Sequence, residues 1–145
     1  MEKQTDMTHR NIELDIEAVL ENLHIVQDFV EDHLQAAGCS LKTKTEISVA
    51  VEEIFVNIAL YAYHPGPGRA RVRVEVSEDP AVVTVTFLDR GVPYDPLAKE
   101  DPDLSLPASD RKIGGLGIFM TKQFMDDVIY EYRDGQNVLT LKKYI

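Results

Sequence analysis

Glu53 and Asn57 stand four residues apart in Glu53-Ile54-Phe55-Val56-Asn57, the middle of a long apolar helical pattern. On a helix that spacing puts both side chains on one face, one turn apart. A carboxylate beside a carboxamide can hold a hydrated Mg²⁺ and take a proton from a hydroxyl. The same pair is more often plain helix surface, so other groups must point back at it. Two glycine-bearing turns do so, Asp89-Arg90-Gly91 and Gly114-Gly115-Leu116-Gly117. Asp89, at the end of a strand pattern, can accept a hydrogen bond from an exocyclic amine such as that of adenine. Alone it would be an ordinary turn aspartate. The second turn runs into a helix pattern, where glycines let backbone approach a ligand and amides favour phosphate. It is neither a Walker A loop nor a dinucleotide fingerprint, and by itself it is weak.

The elements that must position these groups follow from periodicity. Thr8 to Leu14 alternates like a short edge strand, and Asp15 is a candidate N-cap for a first helix. Ile16, Val19, Leu20, Leu23, Val26, Val30, Leu34 and Ala37 repeat at helical spacing up to Gly38, a natural terminator. Thr43 with Glu46 reads as a capping box for a second helix. Its apolar stripe is Ile47, Ala50, Val51, Ile54, Phe55, Ile58 and Ala62; Glu46, Glu53, Asn57 and Leu60 lie on a different face. Two prolines and two glycines in His64-Pro65-Gly66-Pro67-Gly68 end it.

Val72, Val74 and Val76, then Val83, Val85 and Phe87, alternate as two strands joined at Glu78-Asp79-Pro80. From Gly91 to Ile113 there is no periodicity, and four prolines interrupt the chain. A connection that long in a compact domain reads as a lid. A short helix follows Gly117, and the strands 128–132 and 138–144 meet at Asp134-Gly135-Gln136-Asn137. The order β-α-α-β-β-loop-α-β-β predicts one α+β domain over 1–145. It is a two-layer sandwich, a mostly antiparallel mixed sheet with helices on one face.

Composition narrows the function classes. A formal net charge of −10 with no offsetting basic run disfavours nucleic acid and anionic membranes, and suits a basic protein partner. Cys39 is the only cysteine, which excludes an internal disulfide and a thiolate metal cluster. The polar start and the lack of a bilayer-length apolar run predict a soluble cytoplasmic protein.

In order, Glu53-x-x-x-Asn57, Asp89-x-Gly91-x-Pro93 and Gly114-Gly115-Leu116-Gly117 resemble the N, first-glycine and second-glycine boxes of the GHKL ATPase superfamily. Within it the chain is most similar to the bacterial anti-sigma-factor serine/threonine kinases. The similarity extends through Asn57-Ile58-Ala59-Leu60-Tyr61-Ala62-Tyr63 and Met125-Asp126-Asp127-Val128. It implies a histidine-kinase-like ATPase fold that binds ATP and Mg²⁺. Asn57 would then ligate the metal, and Glu53 would be the general base. Asp89 would bind the adenine amine, with Gly91 making room for the ring. The Gly115-Leu116-Gly117 turn would give amides to phosphate, and the stretch to Ile113 would be the lid, from which Lys112 and Arg111 could meet phosphate. Tyr61, Arg90 and Asn137 depart from the residues common there, which are His, Glu and Thr. The implied function is phosphorylation of a small antagonist (anti-anti-sigma) protein, with sequestration of a sigma factor and control of transcription, in a possible homodimer. The alternative is a non-catalytic ATP-binding partner-switch module; a hydrolase or histidine-kinase remnant is a third.

Overall fold

The computed structural model describes residues 12–63, 66–98 and 115–145. Among these, five strands form one sheet: β1 (Glu13–Glu17), β2 (Arg69–Ser77), β3 (Val82–Asp89), β4 (Asp127–Arg133) and β5 (Gln136–Tyr144), in spatial order β1-β2-β3-β5-β4. All four ladders are antiparallel, so the sheet is antiparallel throughout rather than mixed. Three α-helices accompany it: α1 (Leu23–Ala36), α2 (Leu41–Asn57) and α3 (Gly115–Phe124). No helix of the described residues is long and apolar enough to cross a membrane.

Alternation decides which face of the sheet is covered. Val83, Val85, Phe87 and Asp89 are buried while the residues between them are half-buried. Val72 and Val74 of β2 and Leu139 and Leu141 of β5 join them, and Ile47, Ala50, Val51, Ile54 and Phe55 of α2 pack against this surface. Val26, Val30 and Leu34 of α1 complete the core. On the other face of β1 and β2, Glu13, Asp15 and Glu17 stand opposite Arg73, Arg71 and Arg69. Arg69 Nε meets Asp15 Oδ1 at 2.8 Å, and Arg73 pairs with Glu13. A face tiled with exposed ion pairs satisfies itself in water, although each pair stabilises the fold by only a little.

Two predicted boundaries are corrected here. Asp15 is not a helix cap but the middle of β1, and the first helix starts at Leu23 after a short 3₁₀ turn, Leu20–Asn22. The ladder with β2 and the burial of Ile16 in the core hold Glu13–Glu17 in the sheet, and the acidic residues match the three arginines opposite. The second helix opens not at Thr43 but at Ser40, whose Oγ accepts from Thr43 N at 3.2 Å. Glu46, freed from a capping box, pairs with Lys143 of β5 at 3.0 Å. Gly38 does end α1, in the left-handed conformation at φ +76, and its N–H donates to Gln35 O. Asp134 and Gly135, both at positive φ, turn β4 into β5, as an Asp-Gly hairpin requires.

Candidate functional site

The site sits where α2 ends over the C-terminal end of β3, the central strand of the sheet. After Asn57 the helix widens into a π turn, Ile58–Ala62, a distortion that often accompanies function. Its last carbonyl, Ala62 O, accepts from Val92 N at 2.8 Å, so the chain leaving β3 is tied to the helix end. Gly91 lies directly under that contact: a Cβ there would fall 2.2 Å from Ala62 O. Tyr63 adds a second tie, donating to Arg69 O at 2.6 Å and accepting from Arg90 N at 2.9 Å.

These ties fix Asp89. It is buried, and its Oδ1 accepts from Gly91 N and from Asn137 Nδ2, both at 2.9 Å. Burial pushes its carboxyl above the ordinary range, and the Asn137 and Gly91 donors hold it back. Asn137 faces Asp89 across the β3–β5 ladder. Its amide also donates to Val92 O at 2.9 Å, and its oxygen accepts from Tyr94 N at 3.1 Å and from the Tyr130 hydroxyl. Two donors and two acceptors are thereby all used. The reverse amide orientation would set oxygen against oxygen at Asp89 and Val92, so this one is fixed by its partners.

Asp89 lines a cleft of about 400 Å³, open mouth included. Ile54, Ile58 and Ala62 form one wall, Phe87 and Leu139 the other, and Tyr94, Pro96 and Tyr130 narrow the entrance. An acceptor in an apolar slot suits a flat ligand carrying an N–H donor. Asn57 lines the same cleft, and its Nδ2 donates to Glu53 Oε2 at 3.0 Å. Beside Glu53 lies the first turn of α3, for a Cβ on Gly117 would come within 1.9 Å of Glu53 Oε1.

The structure therefore brings Asn57 and Asp89 into one cleft, with Glu53 bonded to Asn57, Gly117 against Glu53 and Gly91 bonded to Asp89. Gly115 and Leu116 are not in a loop before the helix, as predicted, but in its first turn. Lys112, Arg111, Gly114 and most of the predicted lid lie outside the described residues. Sequence reasoning passed over Tyr94 and Tyr130. Only Tyr130 carried a signal: with Val128 it takes the inward phase of β4's alternation. Asn137 was singled out only as a departure from the threonine common in similar proteins.

As for metal, Asn57 turns its amide nitrogen to Glu53, and its oxygen receives no donor among the described residues. A carboxamide oxygen next to a carboxylate is a hard donor set of the kind Mg²⁺ takes. The residues present fit the ion.

A model of the histidine kinase-like ATPase domain matches residues 16–143, and the chain belongs to that family. The serine/threonine-protein kinase BtrW of Bordetella bronchiseptica is 36% identical over 62 residues, a stretch covering 43% of this chain and 44% of BtrW. That match spans less than half of either protein. Among solved structures, the RsbU and RsbW domains of Rv1364c from Mycobacterium tuberculosis superpose with a TM-score of 0.63 at 16% identity, over 91% of this chain and 32% of that one. The SiaB–SiaC complex from Pseudomonas aeruginosa contains a chain that superposes at 0.56 and 17% identity, over 99% and 96% of the two. At these identities both likenesses concern the fold.

Proposed function

We propose that the chain is an ATP- and Mg²⁺-dependent serine/threonine protein kinase of the anti-sigma-factor type. In this reading it phosphorylates a small antagonist protein and sequesters a sigma factor or similar regulator in the cytoplasm, thereby controlling transcription. The observation that carries the proposal is the Asn57–Glu53 hydrogen bond at the rim of the cleft that Asp89 closes. One residue would serve both roles: the Asn57 amide nitrogen bonds to the base, and its oxygen would be a ligand for the metal.

Asp89 receives the adenine amine on the carboxylate oxygen that Gly91 and Asn137 leave free. The glycine turn at the head of α3 offers backbone amides to phosphate, with Gly115 and Gly117 letting them approach and Leu116 between them. Lys112 and Arg111, which directly precede that turn in sequence, would be the side chains to meet the same phosphates. Bound Mg²⁺ would neutralise charge growing on the phosphate oxygens. Glu53 takes the proton from the substrate hydroxyl as its oxygen bonds to the γ-phosphorus, and the bond from phosphorus to the β,γ-bridging oxygen breaks to release ADP. The partial match to a named serine/threonine-protein kinase and membership of the histidine kinase-like ATPase family support this reading.

Glu53→Gln keeps the size and the hydrogen bond to Asn57 but cannot accept the proton. ATP affinity should therefore hold while phosphoryl transfer falls about 10²–10⁴-fold. Asn57→Ala should lose Mg²⁺-dependent binding and transfer together. A Glu53→Gln chain that phosphorylates its partner at the wild-type rate removes the base. ATP binding with no transfer by the wild type favours the non-catalytic switch.

A further inference from the structure

Gly117 lies in the first turn of α3, and its backbone does not need glycine. The left-handed glycines of the described residues are Gly38 and Gly135, and Gly117 is not among them. In a helix, glycine is less stable than alanine by about a factor of five. Something other than backbone conformation must keep a side chain out. The nearest obstacle is one group: a Cβ at 117 would stand 1.9 Å from Glu53 Oε1, 2.1 Å from Cδ and 2.6 Å from Oε2. All three atoms belong to one carboxylate.

We propose that Gly117 is a positioning residue for Glu53: its missing side chain is the space that holds the base's carboxylate beside Asn57. This role rests on the kinase reading above and differs from the phosphate-binding role of a backbone amide. It concerns the side-chain volume at 117 and acts through Glu53. The contrast with Gly91 makes the point physical. There the obstacle is the Ala62 carbonyl, which is backbone and cannot swing away. At 117 the obstacle is the far end of a flexible side chain, so a methyl group displaces the carboxylate while the fold stays intact. The displaced carboxylate then loses its 3.0 Å hydrogen bond from Asn57 Nδ2. Ile118 and Thr121 of the same helix are buried, Ile118 within the core, so this turn has little room to retreat.

A pair of cycles on the full chain tests the inference, one of which needs no partner protein. Melting temperatures are compared for wild type, Gly117→Ala, Glu53→Ala and the double variant. Alanine's helix preference should raise the melting temperature clearly in the Glu53→Ala background and less, or not at all, beside an intact Glu53. Equal rises in both backgrounds would overturn the proposal, since no conflict between 117 and 53 would exist.

The second cycle measures transfer of labelled γ-phosphate from ATP to the partner. Gly117→Ala should lower transfer about ten- to a hundredfold with ATP affinity within about twofold of wild type, a part of the worth of a positioned base. In the Glu53→Gln background it should lower transfer little further. Glu53→Asp, one methylene shorter, should restore activity to Gly117→Ala beyond the product of the two single losses. Additive losses throughout, or an ATP affinity that falls with transfer, would overturn the positioning role in favour of phosphate contact. If Glu53→Gln itself transfers at the wild-type rate, Glu53 is not the base, while the stability cycle still reports whether the two positions collide; no transfer by the wild type removes the kinase reading instead.

Discussion

Asp89 shows how one carboxylate can be made a selective acceptor. Two N–H donors occupy Oδ1, which leaves the other oxygen for a ligand amine. Its burial carries a stability penalty that Asp89→Asn should reveal. An asparagine oxygen can still accept from Gly91 and Asn137, so the fold loses nothing there. Because burial raises the acid's value, wild type is best placed with the acid protonated. That contribution is full below the unfolded value of about 3.9 and is lost as pH rises through the raised one. Asp89→Asn should therefore melt higher than wild type near neutral pH, with the gap closing as pH falls toward 4. The same change should weaken ATP binding by about 1–3 kcal/mol, because an amide now faces the adenine amine. Equal ATP affinity by calorimetry would rule out this adenine site. Replacing Asn137 by Leu removes one of the two donors. Loss of ATP affinity on acidification should then begin at a higher pH than in wild type, which a calorimetric pH series would read.

At the scale of elements, the site depends on two close crossings. Gly91→Ala drives a methyl into the Ala62 carbonyl, which is fixed by the Val92 hydrogen bond. It should lower stability by about 1–3 kcal/mol, as overpacking does, and reduce ATP affinity with it; urea unfolding would measure the first. Alanine at Gly91 should thus cost stability and ATP affinity, whereas alanine at Gly117 should spare both.

The elements were legible where information is local. The stripe from Ile47 to Ala62, the valine alternations and the Asp134-Gly135 turn each announce themselves within a few residues. The acidic run before the first helix did not: Glu13, Asp15 and Glu17 fit either a helix or a strand until Arg69, Arg71 and Arg73, more than fifty residues on, stand opposite. Ser40 and Thr43 are both cap residues, and only geometry shows that Ser40 takes the role. Site legibility divides the same way. Glu53 and Asn57 share one helix face, so their meeting could be read directly. Asn137 meets Asp89 only through the β3–β5 register, and Tyr94 and Tyr130 reach the cleft only through Asn137 and that ladder.

Over the described residues, one core supports the site. Phe55, fully buried two residues before Asn57, joins the helix stripe to the sheet. Phe55→Ala should lower stability by about 3–5 kcal/mol, measured by denaturant unfolding, and disturb the cleft from beneath. The net charge of −10 matches a basic partner better than an acidic one, so complex formation should weaken as salt rises. The most direct measurement is transfer of labelled γ-phosphate from ATP, with Mg²⁺, into the proteins of the source cell, using wild type and Glu53→Gln in parallel. Wild type should place label on serine or threonine of a small protein, and Glu53→Gln should place at least about a hundredfold less. ATP bound by both chains, with no protein labelled by either, would contradict the kinase.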